Sequence, residues 1–160
     1  MQLAPVILSN QELARERLAC AARMLQPAED VSVTHATALA IQHLLDAAYI
    51  TKGNIAAVAP EESRQVSALL TAATPRLAAE LEGKMAPEVV YFRMGTAKGL
   101  LADGHDEFWP DRIDYAGMMA GDLASIHHSE AIAARGFPML RAIRINLATA
   151  QKRDPDQPLH

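Results

Sequence analysis

A histidine with a carboxylate three residues further along a helix is the most suggestive chemistry in this sequence. His43 with Asp46, and His127 with Glu130, each place an imidazole and a carboxylate on one side of a helical turn. Neutral imidazole and carboxylate oxygen are both good ligands for divalent ions, and helical bundles build metal sites by projecting such pairs inward from facing helices. His43, Asp46, His127 and Glu130 together would make a metal-binding helical bundle. The plainer use has His43, which lies between Leu39, Ala47 and Ile50 in helical projection, hydrogen-bonded in the core, with His127 and Glu130 near the surface. The stronger metal signatures, HExxH, paired CxxC or a repeated ExxH, are absent from the sequence.

Nucleophilic and nucleotide chemistry have even less to stand on. There is no GxSxG elbow, no P-loop and no GxGxxG turn. Cys20 is the single cysteine, so an internal disulfide is excluded and a reducing compartment suits the chain. It sits among alanines, where a packed, inert thiol is expected. No haem attachment motif is present, and no cofactor is expected. Phe108 and Trp109 lie beside acidic residues and either anchor a partner or fold back over the core. Met118-Met119 is a core filler or a plastic binding surface.

The elements that must position these residues are helical. Half of the 160 residues are apolar, 21% are charged and 4% are aromatic. This composition is globular, and its alanine content favours helices over sheets. An all-α, single-domain bundle of five or six helices over residues 9–153 is expected, after an extended lead-in (1–8) and before a frayed, disordered tail (154–160). Ser9 and Glu12 form a capping box, and the first helix runs to about Gln26 on a stripe of Ala14, Leu18, Ala21 and Leu25. The second, capped by Asp30, Ser32 or Thr34, is apolar on nearly every side to about Thr51, which makes it central. Lys52-Gly53-Asn54 weakens or ends it, and a short apolar piece, Ile55 to Ala59, follows.

A third helix starts at Pro60 or Ser63 with Val66, Leu69, Leu70 and Ala73 inward. A kink or restart is expected at Thr74-Pro75 and a stop at Gly83. The fourth opens at Pro87, buries Val90, Met94, Ala97 and Leu101, and closes at Asp103-Gly104, with Val89 to Phe92 as an alternative strand. After a loop from His105 to Trp109, the fifth opens at Pro110 with Tyr115, Met119, Leu123 and Ile126 on one face. His127-His128-Ser129 either continues it or lets Ser129 cap another. Gly136-Phe137-Pro138 stops it, and a last helix runs from Pro138 to about Lys152.

Net charge is −4 but unevenly placed. Asp103, Asp106, Glu107, Asp111, Asp114 and Asp122 face only Arg112 within their stretch, whereas Arg135, Arg141, Arg144, Lys152 and Arg153 have no acid between them. The two segments either offset each other or leave a basic C-terminal helix for an acidic partner or RNA. No stretch approaches the roughly 20 apolar residues of a membrane span, so no membrane contact and a cytoplasmic location are expected.

The order of features resembles the HEPN family of small helical bacterial and archaeal proteins. The likeness runs from Leu13-Ala14-Arg15-Glu16-Arg17-Leu18 and Ala21-Ala22-Arg23-Met24-Leu25 through the central helix at Leu44-Leu45-Asp46-Ala47-Ala48. It resumes at Arg112-Ile113-Asp114-Tyr115, similar to the Arg-to-Asp-Tyr stretch of one HEPN branch, and continues to Ser129-Glu130-Ala131 and the closing helix. The resemblance implies a helical bundle, a homodimer and a partner- or nucleotide-related role in a toxin–antitoxin or defence-type system. HEPN ribonucleases carry an Arg and, a few residues later, a His on a helix. Here the literal match is Arg153 to His160, in a proline-containing tail, so ribonuclease activity does not carry over. The leading expectation is a non-enzymatic interaction module with a protein partner. The alternative is a ribonuclease of HEPN type using Arg112 with His127 or His128.

Overall fold

The computed structural model describes residues 8–104 and 107–135, with side chains described as far as residue 131. Every regular element among the described residues is a helix: α1 (Asn10–Met24), α2 (Val33–Thr51), α3 (Ile55–Val58), α4 (Pro60–Glu80), α5 (Pro87–Gly99) and α6 (Trp109–Arg135). The fold is all-α, as the composition requires. The chain forms two compact units, Met1–Ala124 and Ser125–His160, with the boundary falling within α6. The lead-in before Leu8, His105 and Asp106, the Gly136-Phe137-Pro138 stop, the last helix from Pro138, most of the basic run to Arg153 and the tail lie outside the described residues.

The first unit is a helical bundle built around α2, which packs against α1, α3 and α4. On α1 the expected stripe is buried: Ala14, Leu18, Ala21 and Leu25 are withdrawn from solvent. The capping box is formed, with Ser9 Oγ accepting the Glu12 N–H at 3.1 Å. The hydroxyl donates in turn to Glu12 Oε1 at 3.1 Å, so the carboxylate holds the capping side chain.

Of the three capping candidates for α2, Ser32 is the N-cap, its Oγ accepting the His35 N–H at 3.2 Å. Glu80, at the far end of α4, completes this terminus. Its carboxylate accepts the Ser32 hydroxyl at 2.5 Å and the Val33 and Thr34 N–H groups at 3.0 Å each. A carboxylate at a helix N-terminus satisfies orphan donors and meets the positive end of the dipole. Partial burial raises the Glu80 pKa, but the hydrogen bonds from Ser32, Thr34 and Val33 outweigh it, and the net result is a lowered value. At its other end α2 closes with Lys52 and Gly53 in left-handed conformation (φ 52° and 81°), and the Gly53 N–H reaches back to the Ala48 carbonyl at 2.9 Å.

Of the kink or restart expected at Thr74-Pro75, the restart does not occur: α4 runs through Pro75 to Glu80. Proline removes the N–H that would bond the Thr71 carbonyl. Both Thr71 and Pro75 are exposed, so water can satisfy that carbonyl, while on the buried side Thr74 donates its hydroxyl to Leu70 O at 2.7 Å. The helix stops at Glu80, before the expected Gly83.

Val89 to Phe92 is helical, within α5, and Val90, Met94, Ala97 and Leu101 are buried as expected. His127-His128-Ser129 continues α6. Its buried stripe in the first unit is Ile113, Ala116, Met119, Ala120 and Leu123; Tyr115, assigned to that stripe by spacing, is 61% exposed. No helix among the described residues is long and apolar enough to cross a membrane.

Candidate functional site

The hydrophobic core of the first unit is aliphatic: alanine, leucine, isoleucine, valine and methionine fill it. The six described aromatic side chains lie elsewhere. Tyr49, Tyr91, Phe92, Phe108 and Tyr115 are exposed, and Trp109 is half-buried. Aromatic residues carry the largest apolar payload and normally dominate cores, so their exclusion from this one needs a reason.

They are also gathered. Of the nine exposed large hydrophobic side chains among the described residues, six (Val89, Tyr91, Phe92, Phe108, Tyr115 and Met118) belong to α5, α6 or the residue before α6. The register of the two helices explains this. α5 turns Val90, Met94 and Ala97 inward, where it packs on α4, and leaves Phe92 74% exposed. α6 turns Ile113, Ala116 and Ala120 inward and leaves Tyr115 and Met118 outside.

Two contacts hold α5 beside α6. Arg93 pairs with Asp122, and the Arg112 side chain crosses directly over Gly99, where an added Cβ would stand 2.5 Å from Nη1 and 3.1 Å from Cζ. Between the helices lies a groove with two hollows. One, of about 200 Å³, is lined by Phe92, Arg93, Thr96, Tyr115 and Met118. The other, of about 390 Å³, is lined by Phe92, Thr96, Phe108, Asp111, Arg112 and Tyr115. The shared Phe92, Thr96 and Tyr115 make them one continuous feature.

Arg112 also borders a separate hollow of about 290 Å³, lined with Gly53, Gly99, Asp103, Gly104 and Trp109 among others. Trp109 is fixed there by close packing. It meets Tyr49 edge-on at 6.4 Å between ring centroids and covers Gly53, where a Cβ would come within 2.3 Å of Cγ. Of the two roles open to Phe108-Trp109, the residues divide them: Trp109 folds back on the α2 terminus, and Phe108 stays 66% exposed on the groove.

The residues singled out for chemistry fall in both units. Arg112 is half-buried in the first unit, whereas His127, half-buried, and His128, exposed, belong to the second, as does Glu130. His43 is half-buried on α2, and its Nδ1 is out of solvent without a hydrogen-bond partner among the described residues, contrary to the hydrogen-bonded core histidine expected. Asp46 is exposed and faces Arg17 of α1, with Nε to Oδ2 at 4.0 Å. Among the described residues no group of three or more His, Cys, Asp and Glu side chains is placed to hold a metal ion. Cys20 is half-buried and accepts a hydrogen bond from Arg23 Nη2 at 3.0 Å.

Phe92 and Tyr115 are the groove residues that sequence reasoning missed or misplaced; of Met118-Met119, open between core filler and binding surface, Met119 is buried and Met118 lies exposed on the groove. A usable signal existed on α5: a stripe of Val90, Met94, Ala97 and Leu101 leaves Val89, Tyr91 and Phe92 off the core face. Comparison of the chain with protein-family models, with curated proteins and with solved structures finds no match.

Proposed function

We propose that this chain is a non-enzymatic, cytoplasmic helical interaction module whose α5–α6 face docks another protein chain. The carrying observation is the concentration of exposed aromatic and methionine side chains around one groove, in a unit whose core uses no described aromatic. Contiguous exposed apolar surface rimmed by polar groups is how monomeric proteins present interaction sites, and aromatics are favoured at interface centres. The HEPN resemblance supplies the proposed setting, a toxin–antitoxin or defence-type system, and a homodimer is one form the association can take.

The test combines affinity purification from the native host with sedimentation equilibrium, on wild type and Phe92→Ser. A stoichiometric partner, or a dimer, that is present for wild type and lost for the variant supports the proposal. Retention identical in both, with an unchanged mass, defeats it.

One observation favours a second reading: Arg112 borders both the groove and the Trp109 hollow. In that reading the chain is a ribonuclease in which Arg112 contacts the RNA phosphate. Arg112→Ala then abolishes cleavage of single-stranded RNA while leaving the melting temperature near that of wild type. Undiminished cleavage by the variant, or none by wild type, removes it.

A further inference from the structure

Arg93 and Arg112 line the α5–α6 groove with Asp111, and the exposed charges that flank its apolar residues in sequence are acidic. Glu88 lies four residues before Phe92, Asp111 four before Tyr115, Asp114 four before Met118, and Glu107 adjoins Phe108; all four acids are exposed. Side chains four apart share a helix face, so Phe92, Tyr115 and Met118 each have a carboxylate on their own side of the helix. The cations nearby are turned to internal contacts. Arg93 pairs with Asp122, Lys98 donates to Thr71 Oγ1 on α4 at 2.9 Å, and Arg112 lies over Gly99.

We infer that the occupant of this groove is a basic amphipathic helix of a partner protein, its apolar stripe seated on Phe92, Phe108, Tyr115 and Met118 and its Lys or Arg side chains over the acidic rim. This rests on the docking reading above and names the partner's chemistry. Two arguments separate the helix from a second copy of this chain. A symmetric dimer through this face would set acidic rim against acidic rim, a like-charge juxtaposition that opposes association. The area is also small. Four large side chains, each about half to three-quarters exposed, offer roughly 400–500 Å² of apolar surface. A stable interface of standard size buries about 800 Å² per partner. A groove of this size and an apolar stripe at i, i+3, i+4 and i+7 fit each other, and a methionine in the wall adapts to the incoming side chains.

The experiment uses the full chain and two synthetic peptides of about 18 residues, five helical turns. They share one leucine stripe at i, i+3, i+4 and i+7 spacing; one carries Lys at the remaining positions and the other Glu. Binding is measured by fluorescence anisotropy at low and moderate salt, and sedimentation equilibrium gives the mass of each protein. The expected result is saturable binding of the Lys peptide, with the Glu peptide at least about ten-fold weaker. Phe92→Ser should weaken the Lys peptide about thirty-fold, the size of a hot-spot loss. Asp111→Asn with Asp114→Asn should weaken it roughly five-fold and flatten its salt dependence. Met118→Gln, at a second exposed position, guards against a folding artefact at Phe92 and should weaken binding in the same direction.

Equal binding of both peptides, lost in Phe92→Ser, overturns the basic helix while the docking reading survives. So does a wild-type dimer that Phe92→Ser converts to a monomer while neither peptide binds. Peptide binding unaffected by Phe92→Ser and Met118→Gln overturns the inference, and an unchanged mass alongside it removes the docking reading as well.

Discussion

Where α1 meets α2, the buried residues are small or aliphatic: Ala14, Leu18 and Ala21 on one helix, Ala40, Ile41, Leu44, Ala47 and Ala48 on the other, all at 1% exposure or less. Where α5 lies beside α6, the inward residues are of the same kind, but Phe92, Tyr115 and Met118 face outward, each more than half exposed. Both regions are helix pairs in one unit. In the first, most apolar side chains are packed inside, Met24 and Tyr49 being the exposed exceptions, and the ion pair Arg17–Asp46 sits outside the packing. In the second, much of the apolar surface is left over. Apolar area left in water contributes nothing to folding, so its retention points to a contact made after folding.

That contrast can be broken most sharply from the inside. Leu44→Ala removes a side chain that is 1% exposed at the centre of the bundle. It should cost about 3 kcal/mol, the lost transfer energy plus the cavity left behind. Urea denaturation checks this, and a loss under about 1 kcal/mol would mean that the aliphatic core is looser than its burial indicates. Gly53→Ala comes next. A Cβ there would meet Trp109 Cγ at 2.3 Å, on a residue with φ of 81°. Overpacking and left-handed strain together should cost about 2 kcal/mol. The indole must move, so the blue-shifted part of its fluorescence should shift to the red even under native conditions. An unchanged emission maximum would show that Trp109 is not held against the α2 terminus.

The stripes of α1 and α5 were legible because large apolar residues anchor them at clean helical spacing: Leu18 and Leu25 on α1, with Ala14 and Ala21 between, and Val90, Met94 and Leu101, with Ala97, on and just after α5. On α6 the spacing places Met119 and Leu123 correctly on the buried face but not Tyr115. The centre of that face is Ala116 and Ala120, which carry little hydropathy, while Tyr115 lies only about 40° from Met119 in projection and drew the reading toward itself. The continuity of α4 through Pro75 is not legible locally, because local rules see the missing N–H but not the solvent that can replace it. Gly53 under Trp109 and Gly99 under Arg112 depend on residues far along the chain, so nothing local announces them. The same is true of Glu80, which caps a helix that begins 48 residues earlier at Ser32. The boundary between the units falls inside a helix, where no linker composition marks it. The acidic run was legible as charge, but its coincidence with exposed aromatics required the helix register.

Glu80 offers a smaller and pH-dependent test on the packed side of the comparison. Glu80→Ala removes the acceptor for three donors at the α2 terminus and should cost about 1 kcal/mol, as other N-terminal caps do. The exposed part of the charge is screened by solvent and keeps the effect from growing larger. Its sign with pH follows from the lowered pKa. The unfolded chain binds this proton more readily, so the stabilisation is complete above the ordinary carboxylate range. It fades as pH falls below about 4.3 toward the folded value. The stability gap between wild type and Glu80→Ala should therefore be widest near neutral pH and narrow on acidification. A gap that widened instead would show that Glu80 is not ionised in its cap.

The smallest expected change in stability belongs to the groove. Phe92 is 74% exposed, lines the hollow together with Thr96 and Tyr115, and contributes its carbonyl, not its ring, to the Thr96 hydroxyl at 3.1 Å. Replacing an exposed side chain away from caps, charges and strain usually shifts stability by no more than about 0.5 kcal/mol in either direction. Phe92→Ser should therefore melt within a few degrees of wild type while losing its partner. Leu44→Ala should do the reverse, losing stability while retaining the partner under conditions where it is folded. The two variants form a double dissociation. If Phe92→Ser instead destabilised the chain by as much as Leu44→Ala, the aromatic face would be part of the core by energetics whatever its exposure. The surface left over by α5 and α6 would then need no partner to explain it.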